Sequence, residues 1–207
     1  MSESPIMAIG DWKNNAELIA NGVVPLGYLR SEWTILDATY GLGRFWRYWC
    51  PPHLVTNDLN PVANPDHQYD FRAFPPHWAS TFSAVVLDPP YKLNGTGGSH
   101  PSDVAYGVAT TGVRWQDRMA MCKDGIVECA RLLKPFGILL VKCQDQVCSG
   151  KVRWQTIEFS DTADRAGCVL IDMLHLPSYR AQPEGRTQQH ARRNYSTLLI
   201  MQKLLSK

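Results

Sequence analysis

The apolar positions of this chain fall into short, nearly continuous runs. TILDA (34–38), HLVTNDLN (53–60), FSAVVLD (82–88) and ILLVKC (138–143) carry apolar residues on both faces, the pattern of strands buried in a parallel sheet. HQYDF (67–71) reads as a weaker strand of the same series. Elsewhere the period lengthens. From Val113 to Leu133, a helical stripe is drawn by Met119, Met121, Cys122, Ile126, Val127, Ala130 and Leu133, and Pro135 and Gly137 end it. NAELIAN (15–21) predicts a short helix closed by Gly22, and Trp154–Ala166 a further one. CVLIDMLHL (168–176) and YSTLLIMQK (195–203) predict two last strands with no helix between them, hence an antiparallel pair. Strands alternating with helices over the first two thirds predict an α/β fold. It is a doubly wound, mostly parallel sheet, helices on both faces, with an antiparallel final strand, in one domain over residues 1–207.

Composition narrows the picture little. With 207 residues, 44% of them hydrophobic, the chain has enough apolar surface for one core. A net charge of +2, from 21 basic against 19 acidic residues, excludes a global polyanion-binding character, so nucleic-acid affinity would need a local patch. Cys50, Cys122, Cys129, Cys143, Cys148 and Cys168 form no CxxC pair and read as buried free thiols. The start MSESPIMAIGDWKNN has no basic stretch followed by a long apolar run, and no window approaches a membrane span. The expectation is a cytoplasmic protein with no membrane partner and no metal.

Ligands of open α/β sheets bind beyond the carboxyl ends of the strands, so the residues there matter most. After the first strand come Asp37, Gly41 and Gly43, where glycines let the backbone turn and approach a ligand closely. After the second comes Asp58, placed to accept both hydroxyls of a ribose, or to form an Asx-turn ahead of Asn60-Pro61. After the third comes Asp70, an acceptor for an adenine amino group or a solvated loop acid. After the fourth comes Asp88-Pro89-Pro90-Tyr91. Two adjacent prolines forbid helix and stop a ladder, so this strand ends abruptly in a stiff turn carrying a carboxylate and an aromatic ring. The set fits an adenosine-containing cofactor laid across the strand ends. No GxxxxGK[ST] is present, which argues against nucleotide hydrolysis. Trp46, Tyr48 and Trp49 in RFWRYW read as the core face of a helix.

The pieces DATYGLG (37–43) and VVLDPPY (85–91), in this order, resemble the S-adenosyl-L-methionine-dependent amino-methyltransferases of nucleic acids, whose catalytic motif is written [DNS]PP[YFW]. The likeness covers roughly residues 30–145 and the final strands. Thr39 stands where family members often carry Phe, and 207 residues leave no room for a large target-recognition domain. The resemblance implies S-adenosyl-L-methionine as cofactor, DNA as the partner, and adenine N6 as the target. Cytosine N4 in DNA and RNA bases, guanine N2 included, are the neighbouring alternatives. From another class stands a non-catalytic nucleic-acid-binding module that keeps the fold.

The chemistry gives the turn a purpose. An exocyclic amine is a poor nucleophile because its lone pair is delocalised into the ring. Acceptors for its N–H groups favour a pyramidal nitrogen with an available lone pair. Asp88 can accept one N–H and the Pro89 carbonyl another, held by Pro90, while Tyr91 stacks on the base. Two loops are candidates for substrate contact. Residues 92–112 read as a lid or as a plain connector. Residues 178–194 carry Arg180, Arg186, His190, Arg192 and Arg193 against Glu184 alone, which suits phosphates, or equally a solvated hairpin.

Overall fold

The computed structural model describes residues 5–93, 114–178 and 187–205. The main sheet is built from β1 (Ile35–Asp37), β2 (Leu54–Thr56), β3 (Phe82–Leu87), β4 (Leu133–Cys143), β7 (Cys168–Pro177) and β8 (Tyr195–Lys203). Its order is β2-β1-β3-β4-β8-β7, with β8 antiparallel to both neighbours and the first four strands parallel. A separate two-stranded hairpin, β5 (Gln146–Cys148) and β6 (Lys151–Arg153), follows β4. The helices are α1 (Asn15–Leu18), α2 (Trp115–Leu132) and α3 (Gln155–Arg165).

Alternation along the strands feeds two cores. Val85, Leu87, Leu139 and Val141 face α2 and α3 through Met119, Cys122, Ile126 and Phe159. Ala84, Val86, Ile138 and Leu140 face the other way, towards Leu18, Ile19 and Trp46. Each fully buried large apolar side chain contributes roughly 1.5–3 kcal/mol, so both faces of the central strands hold the sheet in register.

Several expectations need correction. HQYDF does not form a strand. Only His67 bridges to Asn57, because the Asn57 side chain takes over the edge beyond it: Nδ2 donates to the Ala38 and Tyr69 carbonyls and Oδ1 accepts the Tyr69 N–H. Gly22 does not close the first helix. The chain runs on from α1 into a π-helical turn, Ile19–Val23, and Gly22 lies inside it, where the Trp12 ring leaves no space for a Cβ. RFWRYW forms a three-residue 3-10 turn, Arg44–Trp46, with Phe45 and Trp46 buried but Tyr48 exposed. Cys50 is exposed, since it sits in the loop before Pro51-Pro52, while the other five cysteines are buried. β4 begins at Leu133, straight out of α2, and pairs Leu133 with Phe82 before a register shift. Among the described residues no helix is long and apolar enough to cross a membrane, and no cluster of His, Cys, Asp or Glu is arranged to hold a metal.

Candidate active site

A cavity of about 630 Å³ opens beyond the carboxyl ends of β1, β2 and β3. Its walls come from Thr39, Tyr40 and Arg44 after β1, from Asp58 to Pro61 after β2, and from Asp88 to Lys92 after β3. Asn15, Tyr69 and Phe71 complete the lining. The volume is that of a site for a drug-sized or nucleoside-sized ligand.

On the glycine side, Asp37 is buried and supports the wall from behind. Its Oδ1 accepts the Thr39 N–H at 3.0 Å and its Oδ2 the Trp46 Nε1–H at 2.6 Å. Burial pushes its carboxyl up to about 7; those two donors hold it down, and the Asp88 and Asp58 charges push it further up. Gly41 gives its N–H to Asp58 Oδ2 at 2.7 Å. Gly43 has φ 66°, and a Cβ there would lie 2.6 Å from the Tyr40 hydroxyl, so only glycine fits the turn. Asp58 Oδ1 accepts the Asn60 N–H at 2.8 Å, an Asx-turn, so both its oxygens already serve backbone donors while the residue lines the cavity. Asp70 forms an ion pair with Arg72 at 2.5 Å, which holds its carboxyl below the usual range, and its neighbours Tyr69 and Phe71 line the cavity.

On the other side, Asp88 follows the last residue of β3. Its N–H donates to Thr39 Oγ1 at 2.7 Å, so the threonine at 39 ties the first loop to the proline turn. Among the described residues its carboxylate accepts no hydrogen bond. Burial pushes its carboxyl up to about 6, against the pull of Lys142 and Lys92. The Tyr91 N–H folds back onto the Pro89 carbonyl at 2.6 Å. The Tyr91 carbonyl accepts from Gln146 Nε2 at 2.8 Å and from Gln155 Nε2 at 2.6 Å. Gln155 is fully buried and its Oε1 accepts the Gln144 N–H, so the end of β4, the hairpin and α3 together fix the turn.

Three of these partners escaped the sequence reading. Gln146 and Gln155 look like ordinary polar residues in sequence. The hairpin that carries Gln146 has strands of only three residues, below the reach of periodicity. Its signal was the Ser149-Gly150 pair between QVC and KVR, which takes φ 52° and 72° as a tight hairpin turn demands. The third is Lys142, a lysine inside the apolar run ILLVKC, 1% exposed and hydrogen-bonded through Nζ to Asn15 Oδ1 at 2.6 Å.

The hairpin also extends the basic surface. Arg153 lies over the Trp115 ring, 3.8 Å from its centroid, with Nε buried and without a hydrogen-bond partner. Arg193 lies over Trp154 at 4.4 Å, and the His190 ring meets the Gly150 carbonyl at 3.2 Å. Residues 146–157 and 187–195 contribute Lys151, Arg153, Arg192 and Arg193, with Asp145 and Glu158 at the borders of the first stretch. Arg180, Arg186 and most of the 92–112 loop lie outside the described residues.

No family model and no curated protein matches the chain. Solved structures do. A provisionally named methyltransferase from Bacillus halodurans C-125 aligns over 89% of this chain and 98% of its own, at 12% identity and a TM-score of 0.58. The 1,6-didemethyltoxoflavin-N1-methyltransferase of Burkholderia thailandensis, solved with S-adenosylhomocysteine bound, aligns over 91% of this chain and 76% of its own, at 14% identity and a TM-score of 0.52. A provisionally named DNA modification methylase from Thermus thermophilus aligns over 66% of this chain at 17% identity and a TM-score of 0.42. This chain spans about half, 49%, of that protein's length. At these identities the likeness is one of fold: an α/β, mostly parallel Rossmann-like methyltransferase sheet ending in antiparallel strands.

Proposed function

We propose that this protein transfers a methyl group from S-adenosyl-L-methionine to an exocyclic amine of a nucleobase, with adenine N6 in DNA as the target. The observation that carries the reading is the Asp88 carboxylate, which faces a cofactor-sized cavity on a rigid Pro-Pro turn and accepts no hydrogen bond among the described residues. A polar group held that way is set for a partner that arrives with the substrate.

The lining fits the cofactor. Each carboxylate oxygen has two lone pairs, so Asp58 keeps acceptor capacity for ribose hydroxyls after serving Gly41 and Asn60. Tyr69 and Phe71 line the cavity as aromatic neighbours for a purine. When bound, S-adenosyl-L-methionine supplies an electrophilic methyl group on a sulfonium. The chain's residues do the rest. Asp88 accepts one N–H of the target amine, and the second lone pair of the Pro89 carbonyl is open to the other. The Tyr91 ring holds the base in line. With its carboxyl pushed up to about 6, Asp88 is a competent acceptor for the proton that the methylated amine releases.

Nucleic acid as substrate is supported by the basic residues Lys151, Arg153, Arg192 and Arg193, of which the hairpin pair is tied to the turn through Gln146. In duplex DNA the base must be extruded to reach the cavity, at an unstacking cost of a few kcal/mol. Adenine is preferred over cytosine because DPPY resembles the adenine enzymes more closely than SPPY does. The test is mass spectrometry of nucleosides from DNA and RNA incubated with the protein and isotopically labelled cofactor. Labelled N6-methyladenine in DNA is the expected product. Label confined to RNA would replace the substrate. Cofactor binding without label in any nucleoside would overturn the enzyme reading in favour of a binding module.

A further inference from the structure

Lys142 is the most anomalous residue of the molecule. Lysine is almost never fully buried without a paired charge, yet Lys142 is 1% exposed and its one hydrogen bond among the described residues goes to a neutral amide, Asn15. Its place in the sheet supplies the missing charge. β3 and β4 are parallel, with Val86 opposite Leu140 and Leu87 opposite Val141. The next pair in that register is Asp88 and Lys142. Side chains alternate along each strand, and Ala84, Val86, Ile138 and Leu140 share one face. Asp88 and Lys142 continue that face. Asn15, which lines the cavity together with Asp88, holds the Lys142 ammonium on that same side of the sheet, and the lysine acts on Asp88 through its charge rather than through a direct ion pair.

We propose that Lys142 is a positioning residue for Asp88: its ammonium, fixed by Asn15 under the cavity floor, holds the Asp88 carboxylate in the ionised form that can accept a substrate N–H. The proposal rests on the methyl-transfer reading for its purpose but not for its test. The surroundings divide in sign. Burial drives Asp88 towards the neutral acid, and the Asp37 carboxylate on β1 repels its charge. Lys142 on β4 and Lys92 beyond the turn favour the charge. Reciprocally, burial pushes the Lys142 ammonium down to about 8 while Asp88 draws it back up. Of the two lysines, Lys142 is the one that no solvent screens, so its influence is the stronger.

The experiment is a carbon-13 carboxyl NMR titration of Asp88 in the whole chain and in Lys142→Met, with the signal assigned through Asp88→Asn. Methionine matches the lysine's length and removes the buried charge, and because the Asp88 carboxylate is then left without it, folding is checked first. The Asp88 midpoint is expected to rise by about one pH unit or more in Lys142→Met. A midpoint within a few tenths of the parent's, in a variant whose circular dichroism is unchanged, would overturn the proposal. Should Lys142→Met fail to fold, nitrogen-15 titration of the lysine ammonium in Asp88→Asn decides instead. There the Lys142 midpoint falls if the two groups are coupled, and an unmoved midpoint overturns the proposal. If nucleosides are methylated, the acid limb of the rate profile moves up together with the Asp88 midpoint in Lys142→Met. If none is methylated, the titration alone still decides, so the two readings fail separately.

Discussion

Asp58 and Asp88 stand at the ends of the strands on either side of β1 and line the same cavity, yet they are used in opposite ways. Both oxygens of Asp58 accept backbone N–H groups, from Gly41 and Asn60, so its charge helps to build the loop that a ligand meets. Asp37, between them at the end of β1, is likewise committed to Thr39 and Trp46. Asp88 accepts nothing among the described residues, and its own N–H is taken by Thr39 so that the backbone stays put while the carboxylate stays open. Three acids at three adjacent strand ends look equivalent in sequence. The hydrogen-bond partners separate the two whose oxygens are committed to the protein from the one whose oxygens accept nothing among the described residues.

The largest expected effect breaks the comparison at Asp88. Asp88→Ala removes an acceptor that no backbone group depends on, but it also takes the neighbouring charge from buried Lys142, so circular dichroism and cofactor binding are checked before the rate is read. Losing one preorganised acceptor typically costs a factor on the order of 100–1000 in turnover. Asp88→Asn keeps the shape and a neutral carbonyl, so single-turnover rates should fall in the order Asp, Asn, Ala. An alanine variant as fast as the parent would make the proline turn a scaffold and leave no separate role for this carboxylate.

That asymmetry was only half legible in the sequence. The parallel strands were legible because each is a continuous apolar run bounded by glycine or proline, and Asp88-Pro89-Pro90-Tyr91 was legible because two prolines leave the backbone few options. HQYDF misled because a side chain, Asn57, can imitate a ladder, and nothing in the pattern marks such a substitution. Asp37 and Asp58 carry the same residue type after the same kind of strand, and their different commitments depend on Trp46 and Gly41, which only the fold brings close. Lys142 did leave a signal. A lysine between Val141 and Cys143 in a central strand has no solvent to reach, and a buried lysine implies a partner.

A second measurement sharpens the contrast through acid and base. Asp37 has its folded value raised from 3.8 to about 7, so its contribution to stability is fully present below about pH 3.8 and is lost as the pH rises through about 7. Asp37→Asn removes this titration. It also sets an amide donor against Trp46 Nε1 or Thr39 N–H, so absolute stability falls. The pH dependence is the diagnostic. Between pH 5 and pH 7 the parent should lose about 2 kcal/mol more than the variant in urea unfolding, since a tenfold difference in proton affinity corresponds to about 1.4 kcal/mol. Asp88 titrates in the same range and repels the Asp37 charge, so the same comparison in an Asp88→Asn background separates the Asp37 titration from the coupling between the two. Equal losses would mean that Asp37 is as readily ionised as a surface acid and that burial does not distinguish the three carboxylates.

The smallest effect asks whether Asp58 does more than hold its loop. Asp58→Ala removes the acceptor of the Gly41 and Asn60 N–H groups along with any ribose contact, so weaker cofactor binding alone cannot separate the two. A ligand cycle can. Charge-assisted hydrogen bonds are worth roughly 1.5–3 kcal/mol, so S-adenosylhomocysteine should bind the parent about tenfold or more tighter than its 2′-deoxy analogue. In Asp58→Ala both ligands bind more weakly, and the preference between them should disappear, because the hydroxyl has lost its acceptor. Calorimetry of the four combinations gives the coupling directly. A preference that survives the substitution would assign the ribose to another group of the cavity. Asp58 would then be wholly structural, and the difference from Asp88 would be larger than proposed.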